Sequence, residues 1–323
     1  MRTVVCRQLG PLDTLVVEER DTPVPGDGQV VVDVRSAGVN FVDGLLCRGE
    51  YQIKPPTPFV PGGELAGVVS AVGPGVTGVA VGDRVVAFTG LGAFAEQVAV
   101  PALSLLPVPT GLDFGQAAAL VQSYATVLFA LTVRTAVAPG EWVLVLGAGG
   151  GVGLAAVDVA TALGARVIAA ASTADRLAAA TAMGAEAGIA YEEADLKARA
   201  RELSGGGVDV VVDPVGGRHS EPALRSTGPF GRYCVIGFAS GTIPTVPLNQ
   251  VLLHNRTVVG VDWGAWTFRA PADNRRLLGE LVAMIDDGRL HPPVPAAFGL
   301  EEAAAVMAGL IDRTVVGKAV LVP

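Results

Sequence analysis

The sequence predicts an α/β protein in which a β-rich domain is joined to a doubly wound parallel sheet. Residues 1–115 contain short runs of alternating apolar and polar residues, punctuated by Gly and Pro, which is typical of a barrel-like β domain. From residue 116 onward, Ala-rich helical stretches alternate with buried strands, and this alternation favours a parallel sheet. A glycine-rich turn joins the first of these strands to the next helix.

The individual strands follow from the spacing of the apolar residues. The alternating runs of the first domain predict strands over Gln29–Ser36, Ala66–Val72, Asp83–Phe88 and Ala95–Val100. The apolar runs of the second domain predict parallel strands over Trp142–Leu146, Arg166–Ala171, Ala187–Ala190, Val208–Asp213 and Tyr233–Phe238.

The end of the chain departs from the strand–helix alternation. Beyond about Val258 the pattern predicts two helices and a closing strand over Val316–Val322. We therefore expect the tail to return to the first domain. The predicted organisation is a β-rich domain at 1–115, a parallel-sheet domain at 116–257, and a return to the first domain at 258–323.

The glycine-rich turn is the most specific motif of the chain. Ala148, Gly150 and Gly153 have the spacing of a dinucleotide fingerprint, with Ala in the first position. Small residues permit the tight turn and let the backbone approach a pyrophosphate, while the N-terminus of the following helix attracts the phosphates. We assign Gly150, Gly151, Val152 and Gly153 to this site. The alternative is a turn that merely connects a strand to a helix.

The composition excludes several classes of function. Half of the 323 residues are apolar and the net charge is −8, so a nucleic-acid partner is not expected. The three cysteines are too few and too dispersed for a disulfide framework. The uncharged stretch Phe114–Val133 contains several polar residues, which favours a buried helix over a membrane span. Without a secretory leader, we expect a cytoplasmic protein that does not engage a membrane.

Several further motifs, taken in order along the chain, carry a family resemblance. These motifs are Asn40–Asp43, Arg48–Tyr51, Pro58–Val69, Val81–Val85, Asp213–Gly217, Ile236–Gly241 and Gly260–Gly264. With the glycine turn, they resemble the zinc-free NADPH:quinone oxidoreductase branch of the medium-chain dehydrogenase/reductase superfamily. The resemblance implies a GroES-like catalytic domain, a Rossmann domain that binds NADPH, and a homodimer.

The same resemblance predicts that no zinc is bound. Zinc-dependent members of the superfamily carry a Cys where this chain has Asn40, and a His where it has Gly63. Their structural zinc lobe is replaced by a segment without cysteine, and none of the three histidines has ligand spacing to a Cys. Without a Lewis acid for alkoxide chemistry, hydride donation to an activated electrophile is favoured. A quinone or an α,β-unsaturated carbonyl is such an electrophile.

The position that selects the cofactor lies at the end of the second parallel strand. NAD-specific folds place Asp or Glu there, whereas this chain has Ala171. Ser172 and Arg176 can bind a 2′-phosphate, and Tyr191 matches a phosphate-binding tyrosine of related reductases. This pattern predicts NADPH. Alternatively, Arg176 is a solvated helix residue and Tyr191 a packing residue, and the neighbouring Asp175 weakens the phosphate interpretation.

The remaining site residues are implied by the resemblance. Asn40 is expected to bind near the nicotinamide ribose, and as an N-cap it can also begin a helix at Phe41. Asp43 is either a site residue or an exposed helix carboxylate. Thr126 is expected near the nicotinamide, unless its hydroxyl is satisfied inside a buried helix. Gly237 and Phe238 are assigned to the cofactor.

Tyr51 is the ambiguous residue of the predicted substrate site. It lies where related enoyl-thioester reductases carry a tyrosine proposed to protonate the substrate. A phenol can donate a proton to an enolate, and its ring can stack on a quinone. We favour lining or stacking.

Three functions are compatible with these motifs. The leading hypothesis is an NADPH-dependent reductase of quinones or enones. The first alternative is an enoyl-CoA or acyl-thioester reductase, which uses the same hydride transfer. The second is an NADPH-binding structural or interaction protein with little turnover.

Overall fold

The computed structural model describes all residues from 1 to 323 and divides into two compact units. Unit 1 comprises Met1–Gln122 and Pro293–Pro323, and unit 2 comprises Ser123–Pro292. The chain therefore passes from one unit to the other at two points, after Gln122 and after Pro292.

The chain forms fifteen β-strands and eleven α-helices. The strands are β1 (Arg2–Val5), β2 (Val16–Glu19), β3 (Gln29–Val39), β4 (Glu64–Val72), β5 (Arg84–Phe88), β6 (Gln97–Pro101), β7 (Leu105–Pro107), β8 (Trp142–Leu146), β9 (Arg166–Ala171), β10 (Ala187–Ala190), β11 (Val208–Asp213), β12 (Thr227–Val235), β13 (Thr257–Gly260), β14 (Ala296–Gly299) and β15 (Ala319–Val322). The helices are α1 (Phe41–Arg48), α2 (Phe114–Ala118), α3 (Val121–Leu128), α4 (Gly151–Ala162), α5 (Ala174–Ala182), α6 (Leu196–Leu203), α7 (Ser220–Ser226), α8 (Asn249–Leu252), α9 (Trp263–Arg269), α10 (Pro271–Asp286) and α11 (Ala303–Ile311).

Unit 1 is built on a seven-stranded, largely antiparallel sheet. The strand order is β14-β15-β3-β4-β5-β7, with β6 also paired to β3. The long strand β3 pairs antiparallel with β4, β6 and β15, so it forms the centre of the sheet. Its alternating buried residues, such as Val30 and Val32, pack with Leu65, Val69 and Phe94 in one apolar core. The predicted β-rich domain is confirmed.

Unit 2 contains a six-stranded sheet in which every neighbouring pair is parallel. The strand order is β10-β9-β8-β11-β12-β13, which is the doubly wound dinucleotide-binding order. The sheet order reverses between β8 and β11. Because ligands of such sheets bind at the carboxyl ends of the strands where the order reverses, the end of β8 is the expected position of a cofactor. The predicted fold class is confirmed.

Several bounds differ from those predicted, and the largest differences lie in the parallel-sheet domain. The fifth parallel strand begins at Thr227 and ends at Val235, so residues 236–238 belong to the loop after it. A sixth strand, β13, pairs with β12 and spans the predicted boundary at residue 258. Residues 258–292 consequently belong to unit 2, and only residues from Pro293 onward return to unit 1.

The apolar stretch Phe114–Val133 is not one continuous helix. It forms α2 and α3, and then a π-helical segment over Phe129–Arg134. Neither this stretch nor any other helix combines the length and the apolarity needed to cross a membrane.

Candidate functional site

The glycine turn lies between β8 and α4. Gly147 has a φ of +59°, in the left-handed region, and its carbonyl oxygen accepts a hydrogen bond of 3.0 Å from the N–H of Gly150. Gly150 precedes α4 in an extended conformation, and the helix begins at the next residue. The first-turn N–H groups of Gly151–Gly153 have no partners within the helix, so they are available to an anion.

Two glycines of this turn occupy places that a side chain would fill. A Cβ at Gly153 would lie 2.1 Å from the carbonyl oxygen of Gly147 and 2.7 Å from the Cα of Ala148. A Cβ at Gly149 would lie 2.4 Å from the Cβ of Arg176. Both contacts are far closer than van der Waals distance, so the turn depends on the absence of side chains. A turn of this shape fits a pyrophosphate against its backbone.

The residues predicted to bind the 2′-phosphate follow two neighbouring strands of this sheet, β9 and β10. Ala171 ends β9 and is 1% exposed, so no carboxylate stands there. The N–H of Tyr191 donates to the carbonyl oxygen of Ala171 at 3.2 Å, which fixes the residue after β10 next to Ser172. Arg176 lies on α5, is half-buried, and its Cβ packs against Gly149.

Sequence reasoning missed a histidine at this edge. The ring of His219 lies 4.2 Å from the ring of Tyr191, at an angle of 38°. Its Nε2 accepts a hydrogen bond of 3.3 Å from Arg218, and Arg218 forms an ion pair with Glu192. His219 lies far from Tyr191 in the sequence and outside every recognisable motif. No local signal could have placed it there.

The loops after β11 and β12 pack on each other at the same end of the sheet. One carboxylate oxygen of Asp213 accepts hydrogen bonds from the N–H groups of Val215 and Gly216, at 2.7 and 2.8 Å. The N–H of Gly237 donates to the carbonyl oxygen of Asp213 at 3.3 Å. A Cβ on Gly216 would lie 2.9 Å from the ring of Phe238. Gly237 and Phe238 are thus held at the carboxyl ends of the strands.

Thr126 lies on α3, at the start of unit 2. It is half-buried, and its hydroxyl makes no hydrogen bond within the protein. By contrast, the hydroxyl of Thr132 donates to the carbonyl oxygen of Leu128 at 2.7 Å. Unlike Thr132, Thr126 therefore does not hydrogen-bond to the backbone of its own helix.

Unit 1 contains a buried cluster of charged and polar side chains, which we call the Lys318 cluster: Asn40, Asp43, Glu64 and Lys318. The ammonium of Lys318 donates to Glu64 Oε1 at 2.7 Å and to Asn40 Oδ1 at 2.6 Å. Asn40 Nδ2 donates to the same Glu64 oxygen at 2.9 Å. None of the four side chains is more than 8% exposed. Within the cluster, the buried charges of Lys318 and Glu64 neutralise each other as an ion pair.

Asn40 and Asp43 also define the start of α1. The helix begins at Phe41, as predicted, and the N–H of Asn40 donates to Asp43 Oδ2 at 2.8 Å. The carboxylate of Asp43 therefore caps the residue before the helix, which leaves the amide of Asn40 to bind Lys318 and Glu64.

Asp43 is a buried carboxylate with an unsatisfied atom. It is 1% exposed, so the interpretation of Asp43 as an exposed helix carboxylate is wrong. Burial raises the pKa of Asp43 to about 7; the hydrogen bond from Asn40 and the charge of Lys318 oppose this shift, and Glu64 adds to it. Its Oδ1 has no hydrogen-bond partner. The carboxyl group can therefore hold a proton near neutral pH.

Lys318 and Glu64 are site residues that sequence reasoning did not single out. Glu64 stands within the quoted motif Pro58–Val69, and Lys318 precedes the closing strand β15. One indication of Lys318 was present in the sequence: a charged residue stands directly before a buried strand. Its partners could not be identified, because Asn40 lies 278 positions away in the sequence.

Tyr51 lies close behind α1 in unit 1. The helix ends at Gly49, whose φ of +70° turns the chain, and Tyr51 follows two residues later. The ring is half-buried. A partly exposed ring can present its face to a ligand.

The Lys318 cluster does not fit a zinc ion. Among Cys, His, Asp and Glu there is no group of three or more side chains with the geometry of a metal site. The ammonium of Lys318 already binds the carboxylate of Glu64, and it would repel a cation placed there. Asn40 and Gly63 supply neither a thiolate nor an imidazole.

Two family models, one sequence relative and two solved structures match this chain. A model described as an alcohol dehydrogenase GroES-like domain matches residues 26–110, and one described as a zinc-binding dehydrogenase matches residues 151–281. The chain is 38% identical over 322 residues to quinone oxidoreductase-like protein 2 of Rattus norvegicus, covering 99% of this chain and 91% of the relative.

Two solved structures share the fold over the full length. A quinone oxidoreductase of Pseudomonas syringae pv. Tomato DC3000 superposes with a TM-score of 0.91 at 33% identity, covering 100% of this chain and 99% of the other. The Escherichia coli quinone oxidoreductase complexed with NADPH superposes with a TM-score of 0.90 at 29% identity, covering 100% of both. The chain therefore belongs to the quinone oxidoreductase-like branch of the medium-chain dehydrogenase/reductase superfamily.

Proposed function

We propose that the protein is an NADPH-dependent oxidoreductase that delivers hydride to a quinone or an α,β-unsaturated carbonyl. One observation carries the cofactor assignment: a turn without room for side chains at Gly149 and Gly153 stands where the sheet order reverses, and the neighbouring strand β9 ends at Ala171 without a carboxylate. The substrate assignment is supported by the names of the relatives, which are quinone oxidoreductases or resemble them.

We assign residues of the chain to successive parts of NADPH. The backbone of Gly150–Gly153 would hold the pyrophosphate. Ser172, Arg176 and Tyr191 would hold the 2′-phosphate, because Ser and Arg donate hydrogen bonds to phosphate oxygens. The nicotinamide end is assigned to Asn40, Thr126, Gly237 and Phe238.

The chemistry needs an acceptor that is already electrophilic. Bound NADPH supplies the hydride, and a quinone or enone delocalises the added electrons onto oxygen. The protein contributes orientation and a source of protons. We assign the substrate side to Asn40, Asp43 and Tyr51, with Tyr51 lining the site or stacking on the ring.

We further propose that the protein is a homodimer. Strand β13 is one of the two edge strands of the six-stranded sheet, and Val258 on it is 48% exposed. The nearby helix α8 adds Leu248, Leu252 and Leu253, each more than 65% exposed. An exposed apolar edge strand is a surface that a second copy can cover. Sedimentation of the wild-type protein and of a Val258→Lys variant tests this, and a monomeric wild type would overturn it.

The function is tested by following NADPH oxidation with a quinone, an enone and an enoyl-CoA. We expect turnover with the quinone or the enone. Preference for enoyl-CoA would identify a thioester reductase instead, and NADPH binding without oxidation would identify a binding protein. Turnover that persists in a strong chelator supports the predicted absence of zinc, whereas activity lost on chelation and restored by zinc contradicts it.

The cofactor preference is tested by Arg176→Ala. Loss of a charged hydrogen bond to the 2′-phosphate should weaken NADPH binding by about 1.5–3 kcal/mol. NADH lacks that phosphate, so its binding should barely change. Equal losses for both cofactors would show that Arg176 does not bind the 2′-phosphate.

A further inference from the structure

A buried carboxylate lies within the helix that follows the glycine turn. Asp158 is on α4 and is 4% exposed, while its neighbours Val157 and Val159 are fully buried. A carboxylate in such surroundings is costly unless hydrogen bonds compensate for the lost water. Nothing in the proposed cofactor contacts requires a charge at this position. Its partners therefore indicate its role.

Asp158 has two strong donors. The hydroxyl of Tyr124 and the N–H of His291 each donate to Oδ2 at 2.8 Å. The imidazole Nδ1 of His291 lies 4.0 Å from Oδ1, and that ring is largely exposed. Tyr124 is itself buried, at 3% exposure. Burial raises the pKa of both Asp158 and Tyr124.

The two donors lie at the two ends of unit 2 in the sequence. Unit 2 runs from Ser123 to Pro292, so Tyr124 is its second residue and His291 its last but one. A single carboxylate thus binds the chain where it enters the unit and where it leaves. Tyr124 also precedes Thr126 by two residues on α3.

We propose that Asp158 is a positioning residue for hydride transfer. Through Tyr124 it fixes α3, which carries Thr126, on α4, whose first turn is assigned to the pyrophosphate. The distance between the pyrophosphate and the nicotinamide contacts is thereby set by one buried hydrogen bond. This inference rests on the proposed NADPH site. Small displacements of reacting groups reduce rates by up to about a hundredfold, so such a bond has kinetic consequences.

The decisive variant is Tyr124→Phe, which removes only the hydroxyl. We expect the single-turnover rate of hydride transfer to fall by about tenfold or more, since the nicotinamide contacts shift. The Kd of NADPH should change by less than about threefold, because the phosphate contacts remain. The fluorescence anisotropy of bound NADPH should also change, and this readout requires no turnover. Asp158→Asn, which keeps an acceptor for both donors, should retain most of the rate.

Ser226→Ala is the matched control. Its hydroxyl is equally buried in unit 2 and donates to the carbonyl oxygen of Ala223 at 2.7 Å. It should lower the stability by a similar amount and leave the rate and anisotropy unchanged. If Tyr124→Phe behaves like this control, the role of Asp158 is purely structural and the inference is wrong. A wild-type protein that binds no NADPH would overturn both this inference and the proposed function.

Discussion

The two candidate regions are stabilised by opposite means. In unit 1 the Lys318 cluster consists of buried side chains, and its stability depends on the pairing of charges. In unit 2 the glycine turn has no buried charge, and its shape depends on the absence of side chains at Gly149 and Gly153. The first region should therefore be sensitive to the removal of charge, and the second to the addition of volume.

The difference also concerns what each region can do without a ligand. Backbone N–H groups at a helix start remain close to water, so the turn stands ready for an anion at little cost. Buried charges cost several kcal/mol each unless they are paired, so the Lys318 cluster must be complete before any ligand arrives. Variants that remove one charge of the cluster should consequently lower the stability of the fold more than they lower the activity.

Lys318→Met gives the largest expected effect. It leaves the carboxylate of Glu64, which is 0% exposed, without its cation. Breaking a buried ion pair in this way costs about 3–5 kcal/mol of unfolding free energy, measured by reversible denaturation in urea. The double variant Glu64→Gln/Lys318→Met removes both charges and should recover most of the loss. A double variant as unstable as the single one would show that the pairing of charges is not what stabilises this region.

Asp43→Asn changes how the stability depends on pH. Burial raises the pKa of Asp43 to about 7 from 3.8, so the folded chain keeps a proton that the unfolded chain releases. The stabilisation is complete below about pH 4 and is lost as the pH rises through about 7. At about 1.4 kcal/mol per pKa unit, the wild type should lose on the order of 4 kcal/mol relative to the variant across this window.

The measurement compares the two proteins at each pH, so that the titration of every other group cancels. Unfolding free energies at pH 4, 6 and 8 are sufficient. If the difference between wild type and Asp43→Asn is the same at all three, the carboxyl group ionises normally and the burial argument fails.

The contrast between the regions explains how much could be predicted from the sequence. The turn was predicted because its residues are contiguous and each has a backbone reason to be small. The first four parallel strands were predicted with their observed bounds, since apolar runs mark buried strands. The fifth was misplaced because Gly228, Pro229 and Gly231 resemble a loop, although Thr227 before them and Arg232–Val235 after them both pair with β11.

Side chains that meet from distant parts of the chain could not be predicted. Asn40 and Asp43 were singled out through a motif, but a motif does not reveal that Lys318 closes the cluster. His219 was considered only as a metal ligand, whereas its ring packs on Tyr191. Burial was equally decisive, because Asp43 on an eight-residue helix reads as exposed until the packing of that helix is known.

Gly153→Ala tests the claim that the turn is sensitive to volume. The added methyl would lie 2.1 Å from the carbonyl oxygen of Gly147, so the helix must move away from the strand. We expect a loss of about 1–3 kcal/mol in stability, the usual range for overpacking, together with weaker NADPH binding. Gly279→Ala is the matched control, because this helical glycine on α10 has no atom within 4 Å of the new Cβ. It should stabilise the protein by about 0.5–1 kcal/mol.

Tyr51→Phe should have the smallest effect, and it separates the two roles of a ring in unit 1. The variant keeps the aromatic face and removes the hydroxyl, so a lining or stacking role survives it. We expect losses of less than about tenfold in kcat/KM for both a quinone and an enone, with solvent protonating the enone product after hydride transfer. If Tyr51 were the proton donor, enone turnover would fall by about a hundredfold or more. Quinone reduction would then fall less, because the hydroquinone anion is the better stabilised product. The ratio of the two losses therefore decides the role, and a large loss confined to the enone would replace stacking with acid catalysis.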